Sequence, residues 1–169
     1  VFNLSKILKI KEKSFLKTLN SFKGSPHRYE IFLRKKNYLF INDSKATSFQ
    51  STKFALKNSK NIFWIVGGLP KKNDKFNFAK IKNNIIKSYI VGKNTNFFKK
   101  QLQKKVSFCV TKNINNSLLK ILKDTKLLRK KRNTILLSPA SASYDQFTNF
   151  EKRGEEFKRL SKFYARKYI

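Results

Sequence analysis

The sequence has very little cysteine and histidine, and it has no methionine. Cys109 is the single cysteine and His27 the single histidine among 169 residues. An internal disulfide and a metal site built from several such ligands are therefore excluded, and a reducing compartment is expected. Flanked by Phe108 and Val110, Cys109 is interpreted as a small buried hydrophobe rather than a nucleophile. The absence of methionine predicts a processed chain or a fragment of a longer protein.

Long apolar runs are also absent, and acidic residues are few. No stretch approaches the roughly 20 apolar residues that a membrane-spanning helix needs. Lysines interrupt the apolar pattern of the first segment, unlike in a signal peptide. We therefore expect a cytoplasmic protein without membrane insertion. Nine acidic residues stand against 40 lysines and arginines, which gives a formal net charge of +31.

The positive charge is scattered over every segment and comes mainly from lysine. Together with abundant Asn and Ile, this composition is typical of a protein from an AT-rich genome. The basic run from Lys123 to Arg132 is interpreted as a solvated surface. We predict no specific nucleic-acid partner, only non-specific adhesion to polyanions. A non-enzymatic basic protein that binds nucleic acid is kept as the alternative of another class, because lysine contacts to phosphate are sequence-independent.

Strand and helix patterns alternate along the chain. Predicted strands cover Tyr29–Leu33, Tyr38–Ile41, Ile62–Val66, Tyr89–Val91, Val106–Val110 and Thr134–Leu137. Predicted helices cover Ser48–Asn58, Phe78–Lys87, Phe97–Lys104 and Ile114–Leu128. The segment that ends at Leu19 is predicted to form one or two helices, broken near Lys11–Lys13. A terminal amphipathic helix carries Phe157, Leu160 and Phe163 on its apolar face. The first two strands form a hairpin, whereas the later strands need crossover helices and are parallel. The expected fold is a three-layer, Rossmann-like α/β sandwich, mostly parallel, with an antiparallel hairpin at its start.

Four of the predicted strand ends carry unusual residues: Asn42 to Thr47, Gly67 to Lys71, Gly92, and the serine-rich run Ser138 to Ser143. Because the carboxyl ends of parallel strands converge on one edge, we expect a ligand site there. Taken alone, the polar residues at Asn42 to Ser44 are explained equally well as a cap of the following helix. The paired glycines, Gly67 and Gly68, are explained by an ordinary tight turn. Lys45 is different, because the dipole of the following helix disfavours a cation at its amino end, which predicts an anionic ligand.

His27 and Arg28 precede the first strand. A lone histidine is more often a packing or hydrogen-bonding residue than a catalyst, while Arg28 offers a bidentate contact to phosphate. The spacing of a Walker A phosphate loop is absent. The chain also lacks a GxSxG elbow and a Ser-His-Asp order, so neither motif supports a hydrolase.

The segments GSPHRYE, INDSKATS, VGGLPK and LLSPASASYDQFTNFEKRGEEF, in this order, resemble the carboxyl-terminal domain of the Mur ligase family, and specifically of its members that add D-glutamate. Residues 24–169 are then this domain, and residues 1–23 the helical end of the central ATP-binding domain. Family members that add lysine or diaminopimelate typically carry a DYAHTPD-like segment in place of INDSKATS. Folylpolyglutamate synthases are the nearest enzymatic alternative, but they lack the SPASASYDQF run.

The resemblance implies an ATP-dependent acid–amino acid ligase that joins D-glutamate to UDP-N-acetylmuramoyl-L-alanine through an acyl phosphate, in peptidoglycan synthesis. It implies ATP and Mg²⁺ as cofactors, with no metal ligand in this fragment. The implied partners are the two substrates and the missing amino-terminal and central domains of the same chain. A monomer is expected, and the fragment alone is expected to be inactive.

The resemblance also implies roles for individual residues. The residues that match those holding D-glutamate are Thr47, Lys71, Ser143 and Phe150. The residues that match nucleotide contacts are Arg28, Asp43 and Lys45, and the catalytic group is Lys45, Arg28 and, with less support, His27. Ser141 stands where many relatives have cysteine. Leu69 and Pro70 replace an Asp-Gly pair of some relatives, so Lys72 is an alternative to Lys71.

Overall fold

The fold is built on a six-stranded sheet, seen in a computed structural model that describes residues 2–22, 24–79, 81–128 and 132–169. The strands are β1 (Glu30–Lys35), β2 (Tyr38–Asn42), β3 (Ile62–Gly67), β4 (Ile85–Val91), β5 (Phe108–Lys112) and β6 (Asn133–Leu137). Their order in the sheet is β1-β2-β6-β3-β4-β5. β1 and β2 are antiparallel, and the other neighbouring strands are parallel. The predicted mostly parallel sheet with an initial hairpin is confirmed.

The helices are α1 (Phe2–Ile7), α2 (Glu12–Ser21), α3 (Phe49–Asn58), α4 (Thr95–Leu102), α5 (Ile114–Leu128) and α6 (Phe150–Tyr168). The bounds of α5 coincide with the predicted helix, and the break between α1 and α2 lies close to the predicted one. Val1 and Lys23 of the predicted helical end, and residues 129–131 of the basic run, lie outside the described residues.

Two apolar cores cover the two faces of the sheet, which confirms the three-layer architecture. β3 shows the alternation, because Trp64 faces the core under α3 and α4, whereas Phe63 and Ile65 face the core under α5 and α6. All six residues of β3 are buried. A strand covered on both sides needs apolar residues at successive positions, which explains the continuous run in the sequence.

The predicted helix Phe78–Lys87 is wrong. Ile85 pairs with Ile62 and begins β4, and only a short 3₁₀ helix, Lys82–Asn84, precedes it; Lys80 lies outside the described residues. The β-branched Ile85 and Ile86 fit a pleated strand better than a helix, and the asparagines before them favour turns. Phe76 and Phe78 cover this part of the sheet instead of a helix.

Three smaller expectations need correction. Phe163 is 54% exposed, and Tyr164 takes its place on the buried face of α6. Cys109 is half-buried rather than buried, although burial still raises the pKa of its thiol. β5 begins at Phe108, two residues after the predicted start at Val106. No helix in the described part of the chain is long and apolar enough to cross a bilayer.

Candidate functional site

The four unusual strand ends lie side by side. β2, β6, β3 and β4 are consecutive neighbours in the sheet, and the parallel pairs point their carboxyl ends to the same edge. Backbone hydrogen bonds join the loops beyond the strands. The N–H of Asp43 donates to Leu137 O at 2.8 Å, and the N–H of Gly67 donates to Pro139 O at 2.9 Å. This edge is the candidate site, and we call it the carboxyl edge.

Two glycines allow the loops to approach each other closely. Gly67 and Gly68 have φ angles of 134° and 131°. A Cβ on Gly67 would lie 2.1 Å from Val91 O, and one on Gly68 would lie 2.5 Å from Ala142 O. No side chain fits in this space, so the glycines are required by packing as well as by backbone conformation. The contact continues at Leu69, which pairs with Ala142 in an antiparallel bridge.

The hydroxyl groups of the serine-rich segment have different partners. The Ser138 hydroxyl donates to Asp43 Oδ2 at 2.7 Å, and the Ser141 hydroxyl donates to Gly67 O at 2.6 Å. Ser143 is only 3% exposed. Within the described residues its hydroxyl has no hydrogen-bond partner, and its carbonyl accepts from the N–H groups of Gln146 and Phe147. Ser138 and Ser141 therefore hold the loop, whereas the hydroxyl of Ser143 is available to a ligand.

Asp43 is a buried carboxylate at the end of β2. Its Oδ1 accepts a hydrogen bond from the N–H of Tyr29 at 3.1 Å, and its Oδ2 accepts one from Ser138. Burial raises the pKa of Asp43 to about 6, although both hydrogen bonds and the charge of Arg28 act in the opposite direction. A carboxylate that still accepts hydrogen bonds at neutral pH suits the hydroxyl groups of a sugar.

A buried arginine, Arg153 on α6, connects two of the strand ends. Its Nε donates to the Ser44 hydroxyl at 3.0 Å, and its Nη2 donates to Ser44 O at 2.8 Å and to Ser141 O at 3.0 Å. Arg153 is 2% exposed, and burial lowers its pKa to about 10. Its Nη1 has no hydrogen-bond partner within the described residues, and it lies on the side of Gly68.

His27 lies between the carboxyl edge and α6. Its Nδ1 is 2.9 Å from Asn42 Nδ2, and its ring makes an edge contact with Phe150 at 5.9 Å. Gly154 of α6 packs directly on the imidazole, because a Cβ there would lie 2.2 Å from Nδ1. The N–H of His27 donates to Glu30 Oε2 at 3.0 Å. This histidine is thus enclosed by packing, as is usual for a lone histidine.

Glu30 and Lys158 connect the hairpin to α6. The Lys158 ammonium lies 3.0 Å from Glu30 Oε1. Burial alone would raise the pKa of Glu30, but the N–H of His27, the Lys158 ammonium and Asn42 together bring that pKa below its usual range. Glu30 is therefore ionised at neutral pH and holds the loop of His27 in place.

The predicted nucleotide and phosphate residues lie on one side of the carboxyl edge. The Lys45 ammonium lies 5.0 Å from the centre of the Phe150 ring, and the N–H of Lys45 donates to His27 O at 3.0 Å. The charge of Arg28 acts on the buried carboxylate of Asp43. Arg28 and Lys45 are exposed. The structure therefore brings together five predicted residues: His27, Arg28, Asp43, Lys45 and Phe150.

The predicted D-glutamate residues are joined through the segment after β3. Asp74 Oδ2 accepts the N–H of Phe49 at 2.8 Å, which ties the turn containing Lys71 to the start of α3, two residues after Thr47. On its other side, the segment is bridged to Ala142, the neighbour of Ser143. Lys71 thus lies within a segment that is fixed at Leu69 and at Asp74, while its own side chain is exposed.

The carboxyl edge is positively charged, and its free cations are exposed. Within the described residues, Arg28, Lys45, Lys71 and Lys72 make no salt bridge. Over those same parts of the chain, no group of three or more His, Cys, Asp or Glu side chains could hold a metal ion. The edge is therefore suited to an anionic ligand.

Arg153 and Ser44 were missed as site residues by reasoning from the sequence. A signal was present, because Arg153, Phe157 and Leu160 recur at helical spacing on the buried face of α6. An arginine in an apolar stripe predicts a buried guanidinium that needs acceptors. Its partners are mainly backbone carbonyls, however, and no residue type marks these in a sequence.

The fold and the polar strand ends place this chain in the class of Rossmann-like α/β proteins, which bind ligands at the carboxyl ends of their strands. No protein-family model matches the chain. It is 38% identical over 155 residues to a UDP-N-acetylmuramoylalanine--D-glutamate ligase of Wolbachia sp. subsp. Brugia malayi (strain TRS), covering 92% of this chain and 31% of that protein. Ligases of the same name from Wolbachia pipientis wMel and Rickettsia felis are 34% and 36% identical, over 94% and 95% of this chain and 31% and 36% of their own lengths.

These alignments confirm the resemblance that the motifs indicated. The chain is similar, over more than nine-tenths of its length in these three alignments, to proteins named UDP-N-acetylmuramoylalanine--D-glutamate ligase. It spans about a third of the length of those relatives.

Proposed function

We propose that the chain is the carboxyl-terminal domain of an ATP-dependent ligase that joins D-glutamate to UDP-N-acetylmuramoyl-L-alanine in peptidoglycan synthesis. The observation that carries this proposal is the homology to ligases of that name, combined with a positively charged edge formed by four adjacent strand ends. In the proposed reaction, ATP phosphorylates the terminal carboxylate of the UDP-linked substrate. The amine of D-glutamate then attacks the acyl phosphate and displaces phosphate.

One half of the carboxyl edge is proposed to hold D-glutamate. The residue Ser143 is buried, and its hydroxyl, which makes no hydrogen bond within the described residues, donates to a substrate carboxylate. Lys71 supplies the opposite charge, and Thr47 a second hydroxyl at the start of α3. Phe150 forms an apolar wall that excludes water, which strengthens each of these electrostatic contacts. Lys72 is the alternative to Lys71, because both ammonium groups are exposed and follow the same bridged segment.

The other half is proposed to contact the nucleotide and the transferred phosphoryl group. Asp43 accepts hydrogen bonds from the ribose hydroxyls, and Arg28 and Lys45 lie at the phosphates. Both steps of the reaction place negative charge on oxygen atoms, which fixed cations stabilise. For His27 we propose a positioning role rather than a catalytic one, which its contacts with Phe150, Asn42 and Gly154 support.

The described residues do not fit a magnesium site of their own. They contain no group of three or more His, Cys, Asp or Glu side chains that could hold a metal ion. We propose that Mg²⁺ is held by parts of the protein outside these residues, and the roles proposed above for them do not depend on the ion.

We further propose that α1 and α2 are the helical end of a central ATP-binding domain. Both helices leave apolar side chains in solvent, including Leu4, Ile7, Leu16 and Leu19. Amphipathic helices normally bury such a stripe. A neighbouring domain of the same chain, and an amino-terminal domain for the UDP sugar, complete the proposed enzyme. The isolated chain is then inactive.

The proposal is tested by ATP-dependent phosphate release from the full-length product of the gene. UDP-N-acetylmuramoyl-L-alanine is supplied with D-glutamate, L-glutamate, L-lysine or diaminopimelate as acceptor. We expect release with D-glutamate alone. Release with a folate substrate and L-glutamate instead favours the folylpolyglutamate synthase alternative, and no release with any acceptor from a folded protein contradicts the ligase assignment.

A further inference from the structure

A basic cleft lies at the edge of the sheet opposite the carboxyl edge, where the parallel strands begin. It has a volume of about 670 Å³. The residues around it include the starts of β2 and β6, the β1–β2 turn, and the end of α3 with the loop that follows. We call it the amino-edge cleft. Its lining shares only Tyr29 with the contacts described at the carboxyl edge, where the N–H of Tyr29 donates to Asp43. The cleft is therefore a separate feature of the fold.

Four cations line the amino-edge cleft: Arg34, Lys36, Lys60 and Arg132. All four are exposed, and the lining contains no acidic residue. Within the described residues, none of the four makes a salt bridge; the Lys60 ammonium donates to the neutral Asn84 Oδ1 at 2.6 Å. Arg132 is also the last of four consecutive basic residues in the sequence. The cleft therefore concentrates positive charge that no acidic residue of its lining neutralises.

The helix dipole does not cancel this charge. α3 ends at the cleft, and Asn58 and Ser59 lie in its wall. The carboxyl end of a helix carries a partial charge of about −0.5. Four full positive charges outweigh it, so the cleft has a net attraction for anions.

The shape and the remaining lining favour a strand of phosphates over a flat anionic surface. The cleft is concave, so a planar lipid surface cannot contact its floor and its rim together. Tyr29 adds an aromatic ring to the lining, and Asn37, Asn58 and Asn61 are polar lining residues. The ring of Tyr38 stacks on Phe40 on the other face of the sheet, where its hydroxyl donates to Thr125 Oγ1 at 3.0 Å. Cations that follow a backbone and aromatic rings that contact bases are the elements with which proteins bind single strands without sequence preference.

We propose that the amino-edge cleft binds the phosphate backbone of single-stranded nucleic acid, independently of sequence. This binding is separate from the ligase activity proposed above and does not rest on it. The charge of +31 alone predicts weak adhesion over the whole surface. The proposal is more specific, because it assigns a disproportionate share of the affinity to four cations in one cleft.

The test measures binding of a fluorescent 12-nucleotide uridine oligomer to this chain by anisotropy between roughly 50 and 200 mM salt. A variant with Arg34, Lys36, Lys60 and Arg132 changed to Gln is compared with a control in which Lys17, Lys100, Lys104 and Lys162 are changed to Gln. Both variants lose the same charge, and the control positions are exposed and lie outside the cleft. Circular dichroism confirms that each variant is folded.

We expect the slope of log K against log salt to include about −3 from the cleft, since each neutralised phosphate contributes about −0.7 for single strands. The cleft variant loses this part of the slope and at least about tenfold in affinity at the lower salt concentration, whereas the control changes much less. Equal losses in the two variants, or no binding by the wild-type chain at low salt, overturn the proposal.

Discussion

At the scale of single residues, Arg153 connects the serine-rich loop to the end of β2. Its guanidinium donates to Ser44 and Ser141 from a position that is 2% exposed. A lysine keeps the charge but cannot reproduce the planar fork of donors. The arrangement of the carboxyl edge therefore depends on this guanidinium.

We predict that Arg153→Lys lowers the free energy of unfolding by about 3 kcal/mol, because buried acceptors lose their donors and a charge stays buried. Urea denaturation measures the change. Arg159→Lys on the same helix is the matched control, since Arg159 is exposed and pairs with Glu156 in solvent, so it should have little effect. Equal stability of Arg153→Lys and wild type would show that the guanidinium does not hold the loop.

Asp43 gives a second residue-scale prediction. Burial raises its pKa to about 6, so the protonated form is favoured on folding. The stability that goes with this form is present below the unfolded pKa near 4 and is lost as the pH rises through 6. Asp43→Asn removes the buried charge. We expect the variant to gain on the order of 2 kcal/mol relative to wild type between pH 4 and pH 8.

The control for this experiment is Asp124→Asn. Burial alone would raise the pKa of Asp124, but Lys87 and Tyr89 bring it below its usual value. Its stabilising contribution is therefore present at high pH and lost in acid. Relative to wild type, Asp124→Asn should be less stable by a nearly constant amount across the neutral range, and the deficit should shrink only as the pH falls below about 4. Parallel pH profiles for the two variants are inconsistent with the burial assigned to Asp43.

At the scale of elements, α6 shows how a local preference is overridden by packing. Gly154 lies inside this helix, where alanine is ordinarily better by about 1 kcal/mol. Here a Cβ would lie 2.2 Å from His27 Nδ1. The glycine is therefore explained by the close contact between the helix and the histidine.

We predict that Gly154→Ala reverses the usual sign and destabilises the chain by about 1–3 kcal/mol, through overpacking against His27. Thermal or urea unfolding measures the effect. In a double-mutant cycle, His27→Ala should relieve most of this cost, because the imidazole is the group that the new methyl contacts. Additive effects of the two substitutions would mean that the alanine methyl group makes no steric contact with the imidazole of His27.

The elements that sequence patterns predicted best are those whose local and tertiary preferences agree. α5 has a clear apolar stripe, and its predicted bounds match. The helix predicted from Phe78 to Lys87 is wrong. The apolar spacing of this segment fits a helix, but Ile85 pairs with β3, so the last residues of the segment form a strand. That pairing is a long-range contact, which periodicity within one segment does not report.

At the scale of the whole molecule, the alternation of strands and helices was enough to predict three layers and a mostly parallel sheet. It did not predict that β6 lies between β2 and β3. That insertion places the serine-rich loop beside Asp43 and Gly67, so it determines which residues meet at the carboxyl edge. The predicted convergence of strand ends was correct, whereas the backbone acceptors around Arg153 have no signature in the sequence.

The two edges of the sheet have different proposed functions. The carboxyl edge combines exposed cations with buried hydroxyl and carboxylate groups, which suits a specific anionic substrate. The amino-edge cleft has exposed cations with amide and aromatic groups, which suits a backbone of phosphates. Variants at one edge should therefore leave binding at the other edge unchanged.

The central claim, that the carboxyl edge holds the amino acid substrate of a ligase, is tested most directly by the Michaelis constant for D-glutamate in the full-length protein. Lys71→Ala and Lys72→Ala are compared with Lys75→Ala, an exposed lysine of the same segment. We predict that Lys71→Ala raises this constant at least about tenfold, a loss of about 1.4 kcal/mol in binding, with a smaller effect on kcat. Wild-type constants for both Lys71→Ala and Lys72→Ala would contradict the account.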